Sequence, residues 1–296
     1  MKQNMFDRVV LTINNILLGL FSITILYPFY YIIILSFNDG QDAKLGGIYF
    51  WPRVFTLDNY AAFFKDPLIL TSAVNSVVRT VLGVIISLAV TSLFAYAVSK
   101  KKLMFRKIYI GIAFFTMYFS GGLIPTFLNI RNLGLLNNFL VYIIPASFSV
   151  YNMLLFRSYF QGISPEIEES AYIDGANDLQ IFIKLAVPIA KPVFAALTLY
   201  VAVAQWNDWM DTMLYAQKEQ FYTLSYLLIK RMNIVSAEQQ QAMDMTQVGS
   251  DALQRGSTSE SLLLATTVIT AFPIIAVYPF LQKYFVKGIM LGSVKG

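Results

Sequence analysis

The sequence predicts an all-α fold, a polytopic membrane bundle with six transmembrane helices, and three observations carry that prediction. Hydrophobic residues make up 57% of the 296 residues and charged residues only 13%, whereas an ordinary soluble domain is about 25% charged. Mean hydropathy is +0.59. The apolar residues are gathered into continuous blocks, and ~20 such residues in a helix cross the ~30 Å hydrocarbon core. No water is available there for the backbone, so only helices and closed barrels can span it. Barrel strands would alternate apolar and polar residues, and these blocks do not.

The first block covers residues 9–37 behind a basic start at Lys2 and Arg8. It is longer than the apolar core of a signal peptide and no convincing cleavage site follows, so a retained span is expected. The remaining spans are expected at 71–98, 108–127, 138–160, 193–213 and 261–282. Pro125, Pro145, Pro273 and Pro279 read as kinks, tolerated where neighbouring helices satisfy the freed carbonyls. The turn after the second span carries Lys100, Lys101, Lys102, Arg106 and Lys107, which places it in the cytoplasm by the positive-inside rule. Lys2, Arg8, Lys184, Lys191, Lys283, Lys287 and Lys295 then fall on the same side, with both termini cytoplasmic. The outer stretches 38–70 and 218–260 are long for connectors; they are either solvated linkers or a docking surface for an outside partner.

The composition removes several chemistries. Cysteine and histidine are both absent, so disulfides, thiolate metal sites, cysteine nucleophiles and the commonest general base are excluded. No metal site or catalytic residue is expected. No GxxxxGK[ST] phosphate loop occurs, so any ATP must be hydrolysed elsewhere. The net charge of +5 reports membrane orientation rather than nucleic-acid binding. Arg79, early in the second span, is expected to snorkel outward, with pairing to an acid in the bundle as the alternative.

The segment 161–192 is too long for a plain connector. Ser164 stands at an N-cap position with Pro165 at the first helical position. Glu166 and Glu168 lie in or near the first turn, where the helix dipole favours acids. Gly175 is the natural left-handed stop, and Asn177 or Asp178 can cap a second helix that Pro188 interrupts. The result is a helix-turn-helix of about 25 residues, a preformed knob for an inside partner.

These residues resemble the coupling motif of binding-protein-dependent ABC importer permeases. Glu169-Ser170-Ala171 stands for its Glu-Ala-Ala triplet, Asp174-Gly175-Ala176 and Phe182 match directly, and Val187-Pro188 replaces Leu-Pro. The stretch from Ser120 through Gly121, Gly122, Leu123, Ile124 and Pro125 to Thr126 is similar to a third-span signature of carbohydrate importers. Trp206-Asn207-Asp208-Trp209 is similar to their Trp-Asn element, and the ending from Tyr278 to Gly288, followed by Val294-Lys295-Gly296, also fits. The resemblance covers nearly the whole chain and is closest to the carbohydrate-uptake, MalG-like permeases of the LplC and YtcP branch.

That resemblance implies a single transmembrane permease domain over 1–296, with an importer core at about 71–288 and the coupling loop at 161–192. It implies the non-catalytic subunit of an oligosaccharide importer in the bacterial plasma membrane. Implied partners are a second permease subunit, two ABC ATPase subunits, an extracellular sugar-binding protein and the sugar. This chain is expected to bind no cofactor, with ATP and magnesium held by the ATPases. Coupling residues would be Glu169, Ser170, Ala171, Asp174, Gly175, Ala176, Phe182 and Pro188, and Val294, Lys295 and Gly296 would reach the ATPase interface.

Tyr118, Trp206, Asn207 and Asp208 are pathway candidates. Trp206 lies about 21 Å along the fifth span at ~1.5 Å per residue. Either these residues form an interfacial belt, or Asn207 and Asp208 face a cavity, the reading preferred because intramembrane acids are costly. Tyr118 and Asn129 either line the pathway or merely pack. Two rivals come from other classes. A membrane-embedded glycosyl or acyl transferase would need acids converging on a cavity, whereas here they cluster in the knob. A stand-alone secondary transporter would commonly show internal repeats, and none is evident.

Overall fold

The computed structural model describes residues 5–244 and 258–293, with side chains described for 8–240 and 258–279. In chain order the helices are α1 (Met5–Ser36), α2 (Gly40–Lys44), α3 (Asp58–Lys65), α4 (Pro67–Ser99), α5 (Arg106–Tyr118), α6 (Leu123–Asn132) and α7 (Val150–Gln161). There follow α8 (Pro165–Ile173), α9 (Asp178–Ile181), α10 (Val187–Ile189), α11 (Lys191–Asn207), α12 (Met210–Tyr215), α13 (Leu224–Asp244) and α14 (Ser259–Ser293). A wider π segment, Phe182–Ala186, joins α9 to α10. Among the described residues there is no strand, only an isolated bridge between Asn38 and Phe55.

Among the described residues, three stretches are long and apolar enough to cross a bilayer as single helices: Arg8–Ser36, Pro67–Ser99 and Ser259–Pro279. Two bent pairs pass the same test when each is counted as one, α5 with α6 (117°) and Asp178–Ile189 with α11 (81°). The first bend lies at Gly122, whose φ of +88° is the left-handed region that glycine enters freely. Pro125 sits at the third position of α6, where its missing N–H leaves no helical bond unmade. The kink expected at Pro125 is therefore made by the glycine three residues earlier.

The expected fourth span is not one helix. Residues Phe139–Tyr142 form a 3₁₀ turn, and α7 starts only at Val150, where the Ser149 hydroxyl accepts from the Asn152 amide at 3.3 Å. Pro145 cannot donate to a continuing helix. Twelve residues make α7 about 18 Å long, short of the hydrocarbon thickness. The polar stretch 218–260 also departs from expectation, because α13 occupies much of it as a 21-residue helix. Its glutamines are good helix formers but leave no apolar periodicity to read.

The chain divides into two units. One comprises Met1–Pro67 and Leu228–Phe272. In it α1 presents exposed apolar side chains from Val9 to Phe29. Its exposed hydroxyls are satisfied internally: Thr12, Ser22 and Thr24 donate to the carbonyls four residues back. Beyond its end, Asn38 accepts from the Val54 amide at 2.9 Å and donates to Asp42, while Asn59 donates to the Ser36 and Asn38 carbonyls. Arg231 of α13 donates to Thr266 at 3.0 Å and pairs with Asp66 at 3.5 Å.

The other unit comprises Leu68–Leu227 and Pro273–Gly296. Its axis is α4, which buries small residues, Ser72, Ser76, Gly83, Ser87, Thr91, Ser92 and Ala95. Small side chains let membrane helices approach closely. Gly83 shows the limit, because a Cβ there would come within 2.8 Å of Gln205 on α11. One apolar cluster joins α4 to α7, the π segment and α11 through Tyr96, Phe156, Phe160, Phe182 and Leu197. A second joins the end of α6, the 3₁₀ turn and α12 through Ile130, Tyr142 and Tyr215.

Candidate functional site

The knob is built from its caps. Pro165 opens α8, and Ser164 occupies the N-cap with extended backbone, but its side chain makes no capping bond; the serine contributes the geometry and not the expected hydrogen bond. At the other end the Ala176 amide donates to the Ala171 carbonyl and the Gly175 amide to Tyr172, both at 3.0 Å. With φ of +84° at Gly175 this is a Schellman stop. Asn177 then opens α9 with a full capping box: its side chain accepts from the Gln180 amide at 2.9 Å, and its own amide donates to the Gln180 side chain at 3.0 Å.

Phe182 anchors this turn. It is buried against Tyr96 and Phe160, with ring centroids at 5.2 and 6.2 Å. Pro188 sits in α10, and the π segment ahead of it absorbs the hydrogen bond that proline cannot make. Ala171 and Ala176 are half-buried against the same core, while Glu169, Ser170, Asp174 and Gly175 are exposed. Ile173 is 87% exposed, and Ile167 and Tyr172 are exposed beside it. An open depression of about 410 Å³ is lined by Glu166, Ile167, Ser170, Ala171, Asp174 and Leu185. Exposed apolar residues clustered with an unpaired acid are the composition of a docking surface rather than of a solvated connector.

Two contacts around the knob lie outside the motif. Glu168 pairs with Lys100, whose ammonium also lies 3.9 Å from the centroid of the Tyr96 ring. Tyr172 donates to Asp178 across the turn, and that bond, with burial second, pushes its phenol up to about 12. The sequence signal for the first pair was faint: a lysine ending one span and an acid 68 positions later, with nothing in the spacing to join them. Val294, Lys295 and Gly296 lie outside the described residues, as does the end of the tail they belong to.

The second cluster centres on Arg79, which is 1% exposed and does not snorkel. Its Nε donates to Gln205 Oε1 at 3.0 Å and Nη1 to the Asp208 carbonyl at 2.8 Å. Nη2 reaches Asp208 Oδ2 at 2.9 Å and Asp211 Oδ2 at 2.8 Å. The guanidinium also faces the Tyr142 ring, 4.5 Å from its centroid. Charged groups inside a bilayer are stable when paired and hydrogen-bonded, and five donors in a planar fork allow one arginine to do this for several oxygens. Asp208 and Asp211 are three residues apart across the α11–α12 break, and both side chains reach Arg79. That spacing was the available signal that Arg79 has partners in the chain.

Asp208 therefore does two jobs. Its Oδ2 holds Arg79, and its Oδ1 accepts from the Met210 and Asp211 amides at 2.8 and 3.3 Å, which starts α12 where α11 has ended. Trp206 is buried, not part of an exposed belt, and its carbonyl accepts from Ser225 at 3.0 Å. Asn207 is exposed. Tyr118 ends α5 at 81% exposure, and no hydrogen bond or ring contact links it to this cluster. Asn129 lies in α6.

An all-helical chain with lipid-length apolar helices, broken spans and an exposed capped knob is an integral membrane protein of the permease class. Comparison with known proteins narrows this. No protein-family model matches the chain. It is 36% identical over 296 residues, all of both chains, to the polygalacturonan/rhamnogalacturonan transport system permease protein YtcP of Bacillus subtilis. It is 37% identical to protein LplC of the same organism over 97% of this chain and 95% of that one. Among solved structures it matches, at 34% identity and a TM-score of 0.85 over 96% of its length and 99% of the other's, a chain of a bacterial ABC transporter involved in the import of the acidic polysaccharide alginate. The chain belongs to the carbohydrate ABC importer permeases and is the membrane-spanning permease subunit of such an importer.

Proposed function

We propose that the knob of α8 and α9 is the coupling element through which an ATPase subunit drives this permease. The observation that carries the proposal is the split of the 161–192 segment into a buried anchor and an exposed face. Phe182 is fixed in the core, while Glu169 and Ile173 are left outside. The matching motif positions Glu169, Ser170, Ala171, Asp174, Gly175, Ala176, Phe182 and Pro188 thus divide into those that hold the knob and those that meet the partner.

The complete importer in this proposal has a second permease subunit, two ABC ATPases and an external sugar-binding protein. This chain crosses the membrane six times, with the short α7 completing one crossing, and both termini are cytoplasmic. It binds no cofactor and catalyses nothing; ATP and magnesium belong to the ATPases. ATP binding closes the ATPase pair, moves the two knobs together and opens the pathway outward, a rigid-body switch between two states. The cargo is an oligosaccharide. YtcP is named for polygalacturonan and rhamnogalacturonan and the structural relative for alginate, which favours fragments of acidic polysaccharides. Asn207 and Asp208 face the pathway at the α11–α12 break, and Tyr118 and Trp206 are further pathway residues.

The test compares assembled complexes carrying wild-type chain or Glu169→Lys. The exposed site leaves folding and insertion unchanged. Bound ATPase and sugar-stimulated hydrolysis fall, because a like charge now faces the basic partner, while sugar capture by the external protein stays normal. Full ATPase retention with undiminished stimulation removes Glu169 from the contact. A reporter fused after Gly296 that is reachable only from outside overturns the topology.

A further inference from the structure

We propose that residues Tyr49, Phe50 and Trp51 form a membrane anchor, a loop that turns back along α1 and seats its rings in the lipid headgroup layer. The path of the chain carries the argument. It leaves α1 at Ser36, passes through α2, and reverses at Gly46 and Gly47, whose φ values of +68° and +75° make the turn. It returns to the end of α1 at the bridge between Asn38 and Phe55. Between these points the loop descends along α1. The Tyr27 hydroxyl donates to the Tyr49 carbonyl at 3.3 Å and the Tyr30 hydroxyl to the Phe50 carbonyl at 2.7 Å.

Those tyrosines give the depth. The apolar surface of α1 begins at Val9 behind Arg8, and ~20 residues at ~1.5 Å each take it across the hydrocarbon to about Phe29. Tyr27 and Tyr30 bracket that boundary, so the loop backbone bonded to them lies at the boundary too. Ile48 is buried, but the next three rings are exposed, Trp51 by 76%, with the Phe50 ring edge-on to Tyr27 of α1. A loop in water would turn such rings inward. Tyrosine and tryptophan prefer the membrane interface because each ring has an apolar body and a polar edge. The polar restraint lies at the other side of the loop, where Arg53 pairs with Asp42 at 2.9 Å. The continuity of the rings with the lipid-length helix α1 identifies the occupant as lipid. The leaflet follows from the topology proposed above, but the depth does not depend on it.

The chain contains no cysteine, so an introduced thiol is unique once the partner subunits are also free of them. Trp51→Cys and Phe50→Cys, both at exposed positions, are nitroxide-labelled in the assembled importer in lipid nanodiscs, with exposed Lys44→Cys as the water-facing reference. Collision with lipid-soluble oxygen is compared with collision with a water-soluble nickel chelate. The oxygen-to-nickel ratio at 50 and 51 is expected to be several-fold above that at 44. A ratio equal to that at 44 overturns the proposal by placing the rings in water. Labels that neither quencher reaches overturn it equally, because the rings are then covered by another protein subunit.

Discussion

Helix α4 handles positive charge in two ways. Arg79 lies inside it and Lys100 one residue past its end, and each sits over a tyrosine ring, Tyr142 and Tyr96 respectively. Arg79 is sealed from solvent and serves two carboxylates, a side-chain amide and a main-chain carbonyl. Lys100 keeps part of its surface exposed and serves one carboxylate, Glu168. The difference follows from chemistry: a planar fork satisfies several buried oxygens at once, whereas an ammonium is a strongly hydrated point charge that prefers a wet edge. The arginine joins α4 to α11 and α12 as a fixed part of the fold. The lysine tethers α8 from a partly exposed edge.

The contrast predicts graded losses. Arg79→Met leaves Asp208 and Asp211 facing each other with their cation gone. Removing one partner of a buried pair costs about 3–5 kcal/mol, and the partial exposure of the two acids, 34% and 29%, places this case at the lower end. The expected outcome is a large fall in thermal stability and yield of the assembled importer. Arg79→Lys should not restore it, because one ammonium cannot reach all four acceptors. An unchanged melting temperature in either variant would show that the clamp is not structural.

Gly175→Ala is expected next. A side chain at φ of +84° meets the left-handed penalty of roughly 1–2 kcal/mol. The open space around the glycine means that this strain is the whole cost. ATPase retention should drop with it, since α8 and α9 lose their fixed angle. Lys100→Met should cost about 1 kcal/mol, because the pair with Glu168 is only partly desolvated. A charge exchange, Lys100→Glu with Glu168→Lys, should recover much of it if the tether is electrostatic. If Lys100→Met is costly and the exchange recovers none of the loss, the Tyr96 contact, which the exchange does not restore, matters more than the carboxylate.

The smallest effect sharpens the comparison most. Asp211→Asn leaves Arg79 paired with Asp208 alone, one charge against one, so the stability change should stay within about 1 kcal/mol. Asp208→Leu should do far more, because it removes both the arginine contact and the start of α12. Its effect on uptake should also exceed that of Asp251→Leu, a position outside the described residues. Equal losses from the two aspartates would mean that total negative charge, and not the position of Asp208, is what matters.

What could be read from the residues depended on range. The lipid-length helices needed only apolar runs, and the knob needed caps: Pro165, Gly175 and Asn177 act within a turn or two of themselves. Arg79 was misjudged because its partners lie 126 to 132 positions away, and snorkelling is a local explanation that needs none. The fourth span was overextended because apolar composition persists through 139–149 while the backbone turns there. Helix α13 escaped notice for the opposite reason, a helix with almost no apolar stripe. The anchor loop was seen as aromatic, but only the bonds from Tyr27 and Tyr30 give its depth.

The π segment before Pro188 has a consequence for how this knob can vary. A π turn holds one residue more than the α turn it replaces. Deleting one residue of 183–186 would let that turn close to an α turn while what lies on either side keeps its direction, whereas a deletion in the regular helix beside it would rotate one side by roughly 100°. Phe182 would then swing out of its pocket between Tyr96 and Phe160, or α8 would be carried around to face another direction. Substitutions in this stretch are judged by volume, but a change of length is judged by angle. In the proposed coupling role the separation between Glu169 and Pro188 is thus a mechanical dimension: an insertion or deletion outside the π segment should abolish coupling even where every contacting side chain is retained, while a single deletion at 183–186 should be absorbed.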